Sequence, residues 1–230
     1  MPENLVVSVD KKEAAIIKYI KDYLYCKNIR FHFGMNKVRA KFSFEGERYQ
    51  AMELIADAIL FFYKFKELMS TLKNCSLKNM CFYAYVGALL SIDYAQEKTQ
   101  IIEEMEKVGK VVSIDGFINF CGYKLIENWK NLAQLAYKLY NQCKNEEDAF
   151  ELTTFMLGVD GEGEAVIVID NNSTLRLLKN KSPIPILNIF DREEFNVIAT
   201  ILSHRPTNII VVNPEKIEPS LMKAIHALGD

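Results

Sequence analysis

The chain is predicted to adopt an α+β fold, with a central block of long helices between an N-terminal β-α-β-β unit and a C-terminal β-β-α-β-α unit. Three observations carry this reading. Residues 79–92, N-M-C-F-Y-A-Y-V-G-A-L-L-S-I, contain no charged side chain, although a quarter of the whole chain is charged. A segment so apolar must be buried, and it is shorter than the roughly 20 residues a bilayer crossing needs. Residues 31–44 alternate apolar and polar side chains, the mark of a sheet with one wet face. Short β-branched runs separated by turn residues then recur near the C-terminal end.

Taken in order, Leu5 to Val9 reads as a strand, with Asp10 as N-cap of a helix over 11–26. Phe31 and Phe33, then Val38, Ala40, Phe42 and Phe44, make the greasy face of a hairpin turning at Gly34-Met35-Asn36. Gly46 closes the hairpin, and a long helix is predicted from about Glu47 to Lys73. The uncharged segment continues as one helix through Tyr94 into the charged stretch 96–107, whose mixed acids and lysines read as a solvated face. Gly109 ends it. Val111 to Ile114 is extended, and Asp115 caps a third helix with a stripe of Phe117, Phe120, Leu125, Trp129, Leu132, Leu135, Ala136 and Leu139. Asn145 caps a short helix to about Leu157.

Gly158 to Glu164, G-V-D-G-E-G-E, is the clearest turn in the chain. A hairpin follows, Ala165 to Ile169 with Thr174 to Leu178 around Asp170-Asn171-Asn172-Ser173. Pro183 and Pro185 confine the next piece to an edge. Asp191 caps a helix to about His204, Asn208 to Val212 reads as a buried strand, and Pro214 and Pro219 frame the last helix. Residues 1–157 and 158–230 are the expected divisions, packed as one body.

The 230 residues are half hydrophobic, with a formal net charge of -2. No global field draws the chain to nucleic acid or anionic lipid. Cys26, Cys75, Cys81, Cys121 and Cys143 form no C-x-x-C pair, and their odd number suits a reducing compartment. The N-terminus lacks the basic region of a signal peptide. A cytoplasmic protein with no membrane span is expected.

Three pieces of the second half carry a resemblance: S-I-D-G-F-I-N-F (Ser113 to Phe120) with Tyr123, the strand pair around E-A-V-I-V-I-D-N-N-S, and I-A-T-I-L-S-H-R-P-T-N-I-I-V-V-N-P. In these the chain resembles the YtxC-like family of proteins associated with sporulation in endospore-forming bacteria. The resemblance implies a sporulation setting. It brings no catalytic residue with it.

The chemistry-bearing residues are scattered. His32, His204 and His226 show no metal-ligand spacing, and His204 reads as a helix C-cap. No G-x-S-x-G elbow marks a nucleophile, and Cys81 and Cys121 read as core. The Gly158 to Glu164 turn follows a helix and precedes a strand, the reverse of a phosphate loop. Its acids Asp160, Glu162 and Glu164 suit a hard cation, and Asp160, Glu162 and Asp170 a hydrolase, but a solvated turn explains the same composition. The strongest candidate site is the basic face of the hairpin: Arg30, His32, Lys37, Arg39 and Lys41. Such a face positions a nucleic-acid backbone or meets an acidic partner, or is only the polar side of a sheet. The expectation is therefore a non-enzymatic interaction protein with a protein partner, no cofactor and no metal. The alternatives are nucleic-acid or acidic-partner binding through the hairpin, and hydrolysis at the Gly158 to Glu164 turn.

Overall fold

Side-chain alternation decides the first sheet. β1 (Leu5–Asp10), β2 (Phe31–Met35), β3 (Arg39–Phe44) and β4 (Val111–Ser113) pair in the order β2-β3-β1-β4. The contacts β1/β3 and β2/β3 are antiparallel, and β1/β4 is parallel. Leu5, Val7, Val9, Ala40, Phe42, Phe44 and Val112 all fall on one face, and all are buried. The computed structural model describes residues 5–44, 48–158, 166–169 and 174–229. The fold is α+β, in two units: Met1–Lys66 with Asp93–Lys130, and Glu67–Ile92 with Asn131–Asp230.

In the first unit, α1 (Ala14–Cys26) covers the hairpin, with Tyr25 edge-on to Phe31 and Lys21 Nζ 3.6 Å from the Phe33 ring centre. α2 (Arg48–Ala58) packs against both α1 and α5 (Tyr94–Val108). It runs into a π-helical turn, Ile59–Lys64, and leaves it as α3 (Phe65–Leu72). Phe61 and Phe62 of that turn close edge-on against Tyr19. β4 feeds directly into α6 (Ile114–Cys121), followed by α7 (Tyr123–Tyr140).

The second unit centres on α4 (Met80–Ser91), in which every residue but Tyr83 is buried. It packs against α8 (Glu146–Gly158) and α9 (Glu193–Ser203). Gly87 makes the second contact possible, because a Cβ there would stand 2.7 Å from Ala199 Cα and from its carbonyl oxygen. The unit's own sheet has the order β7-β6-β5-β8, from β5 (Val166–Ile169), β6 (Leu175–Leu177), β7 (Pro183–Ile184) and β8 (Asn208–Val211). β7 is an edge, as its prolines require. A 3-10 turn at Pro214–Lys216 precedes α10 (Pro219–Gly229). The described strands at the two ends of the chain thus belong to separate sheets.

Several local expectations are corrected. Asp10 does not cap α1: its Oδ1 takes the Lys12 N–H at 2.9 Å, and Glu13 stands at the N-cap. Val38 lies in the hairpin turn and is 61% exposed. The predicted single helix through residue 94 is cut, because Ile92 is extended and Asp93 left-handed (φ 55°). Gly122 divides the third helix, whose N-cap is Ser113 and not Asp115. Phe120 and Leu135, assigned to its buried stripe, are exposed. Arg192, not Asp191, sits at the N-cap of α9. β8 is a half-exposed edge, because its other side has no partner strand among the described residues. Pro214 opens the short 3-10 turn, and only Pro219 begins the last helix. Asn145 caps α8 as expected, accepting the Asp148 N–H while Asp148 accepts that of Lys144.

Candidate functional site

The candidate surface is the outer face of the first sheet. Strand alternation sends His32, Arg39 and Lys41 away from the buried apolar face. Register fixes their neighbours. Lys41 stands between Gly34 of β2 and Ser8 of β1, while Ser43 separates His32 from Val6. Small neighbours on both sides leave the Lys41 stem unshaded. Arg30 lies just before β2 and Lys37 in the turn, both exposed and outside the ladder. The five residues singled out from sequence therefore divide into three on the face and two at its margins.

Lys11 and Lys12 extend this surface, and sequence spacing missed them. Lys11 donates its N–H to the Val38 carbonyl at 2.8 Å, which prolongs the β1/β3 ladder into the hairpin turn. Lys11, Lys12, Lys37 and Lys41 are all exposed, and among the described residues none forms an ion pair. The aromatic rings Phe31 and Phe33 face the other way, onto Phe42. This face offers charge and hydroxyls without a stacking platform.

Arg39 is locked on this face. Its Nη1 donates to Ser8 Oγ at 3.0 Å and to Ser113 Oγ at 2.6 Å. Ser113 Oγ also accepts the Gly116 N–H at 3.2 Å, so one hydroxyl caps α6 and anchors the guanidinium. Among the described residues the half-buried Arg39 forms no ion pair, although Asp10 is its cross-strand neighbour on the same face. Nearby, Asp115 Oδ2 accepts the Asp10 N–H at 3.0 Å and its Oδ1 accepts Tyr63 Oη–H at 2.7 Å. Burial and that hydrogen bond hold the Tyr63 hydroxyl far above the usual tyrosine range, so it is a donor and not a base.

Glu97, which sequence placed on a solvated helix face, is buried. Its Oε2 lies 2.8 Å from Lys64 Nζ, and its Oε1 accepts the Trp129 indole N–H at 2.7 Å. The pair lies inside the first unit and is sealed from substrate. In the second unit, Cys81 donates to Asn79 Oδ1 at 2.6 Å and lies 3.3 Å from Tyr140 Oη. Burial pushes its thiol up, the opposite of an activated nucleophile. His204 is the C-cap of α9, its Nδ1 2.8 Å from the Thr200 carbonyl. His32 and His226 are exposed. Asp160, Glu162, Glu164 and Asp170 lie outside the described residues.

Among the described residues, no group of three or more His, Cys, Asp and Glu side chains is placed to hold a metal ion. Among the described residues no helix is long and apolar enough to cross a membrane. No protein-family model, curated protein or solved structure matches the chain.

Proposed function

We propose that this is a non-enzymatic interaction protein that docks an acidic segment of a protein partner on the outer face of its first sheet. The observation that carries this reading is Arg39, held in place by two serine hydroxyls while it forms no ion pair among the described residues. A guanidinium fixed in advance loses less freedom on meeting a carboxylate than a mobile lysine does. Lys41, Lys37, Lys11 and Lys12 are exposed around it and form no ion pair among the described residues, and the half-buried Ser43 adds a hydroxyl. A carboxylate-rich chain matches this surface better than a single-stranded nucleic acid does, since Phe31 and Phe33 face the other way and give no ring for stacking. A cytoplasmic setting, read from the odd cysteine count, and a sporulation-associated one in an endospore-forming bacterium, which rests on the resemblance of the second half alone, are part of the proposal.

The test is fluorescence anisotropy with a glutamate- and aspartate-rich peptide, and with single- and double-stranded DNA, at several salt concentrations. The acidic peptide is expected to bind and to weaken at least about tenfold in a Lys37→Glu, Lys41→Glu variant, with unchanged circular dichroism. DNA binding with a steep salt slope and little affinity for the peptide would make the surface a nucleic-acid interface instead. No binding to either, or binding indifferent to the charge reversals, removes the proposal.

A further inference from the structure

α8 and α10 of the second unit leave a groove between them of about 940 Å³. Phe150 and Ala227 line it, and apolar surface predominates along its walls. At one end Glu146 is already engaged, with Lys223 Nζ at 2.8 Å from its Oε2. Along α8 the spacing is regular: Glu147, Glu151 and Phe155 recur every fourth residue and so share one side of the helix. Glu147 and Glu151 are exposed and form no ion pair among the described residues, and like charges at that spacing repel. Phe155 is 69% exposed. Glu147 and Glu151 line this largely apolar concavity and Phe155 stands one turn further along α8, just outside its lining, a set that complements one common ligand class.

We propose that this groove docks a basic amphipathic helix of a protein partner. Its apolar side would cover Ala227 and Phe155, and its Lys or Arg side chains would reach Glu147 and Glu151. A small organic cation would satisfy the carboxylates but leave Phe155 in water, so the exposed ring favours a helix. The site is independent of the basic sheet face: it lies in the other unit, uses other residues and carries the opposite charge.

The experiment titrates the full chain with a labelled leucine-lysine peptide of helical periodicity, about 18 residues long so that it can hold a helix. A scrambled peptide of the same composition and spermidine serve as controls, and sedimentation reports self-association. Saturable binding is expected, weakened at least tenfold by Glu147→Lys with Glu151→Lys and separately by Phe155→Ser. It should be unchanged by Lys37→Glu with Lys41→Glu, which distinguishes this site from the sheet face. Absent binding, equal affinity for the scrambled peptide, or insensitivity to the α8 variants overturns the proposal. Competition by spermidine with no effect of Phe155→Ser replaces the helix by a small cation. A dimer that Glu147→Lys with Glu151→Lys dissociates replaces it by a second copy of this chain.

Discussion

Lys64 Nζ and Glu97 Oε2 meet at 2.8 Å with side-chain exposures of 0% and 9%, so an ion pair lies where water cannot screen it. Burial raises the Glu97 carboxyl, opposed by the Lys64 charge and the Trp129 N–H. A raised carboxyl holds its proton more firmly in the native state than in the unfolded chain, where the value is about 4.3. Its contribution to stability is therefore fully present below the unfolded pKa and is lost as pH rises through the folded one. Lys64→Met removes the charge that opposes the shift. The variant is expected to lose about 3 kcal/mol at pH 8 and to regain part of that loss at pH 5, where Glu97 takes up a proton. Urea unfolding at the two pH values measures this. An equal loss at both would show that Glu97 stays ionised without its lysine.

Gly87→Ala tests the closest helix contact of the second unit. The added methyl would meet the Ala199 backbone at 2.7 Å, and backbone cannot swing aside as a flexible side chain does. The helix propensity gained from alanine, about 1 kcal/mol, is outweighed by separating α4 from α9 along their buried length. A net loss of about 2 kcal/mol is expected, read as a lower denaturation midpoint with an unchanged slope. A variant as stable as the parent would mean that these helices do not approach so closely.

The legible parts of the fold were those written in local pattern. The hairpin of β2 and β3 shows in its alternation, and the burial of α4 shows in its lack of charge. The break before α5 was not legible, since Ile92-Asp93 contains neither glycine nor proline and the turn rests on Asp93 adopting φ 55°. Glu97 misled for a related reason. It sits among exposed acids, and its partners Lys64 and Trp129 are 33 and 32 residues away in sequence. The candidate face was half legible: alternation found His32, Arg39 and Lys41, but nothing in the spacing of Ser8, Arg39 and Ser113 announces that they meet. The α8/α10 groove was missed because its two walls are far apart in the chain.

Lys181→Gly should stabilise the protein. Lys181 turns the chain between β6 and β7 with φ 52°, a conformation in which a Cβ crowds the following carbonyl. Its exposed side chain makes no ion pair among the described residues, and Asn180 Oδ1 holds the turn through the Ser182 N–H at 3.0 Å. Glycine relieves the strain but adds freedom to the unfolded chain, so the net gain expected is about 0.5 kcal/mol. Thermal unfolding against the parent measures it, and a lower midpoint would place the strain elsewhere.

Arg39 and Ser113 provide the sharpest check on the candidate face. Ser113→Ala removes two hydrogen bonds at once, the α6 cap to Gly116 and the anchor of the guanidinium. Losing a cap costs about 1 kcal/mol, and the anchor adds a further share. Both bonds leave the same Nη1, and Arg39→Lys replaces that rigidly held nitrogen by a mobile ammonium one atom shorter in reach, which does not hold Ser8 and Ser113 together. In the Arg39→Lys background, Ser113→Ala should then cost only its cap. The expected coupling in a double-mutant cycle is about 0.5 to 1 kcal/mol. Additive costs would mean that Arg39 is not held by Ser113 in solution. The face would then present only mobile lysines, and the case for a partner docking there in a defined orientation would fall with the anchor.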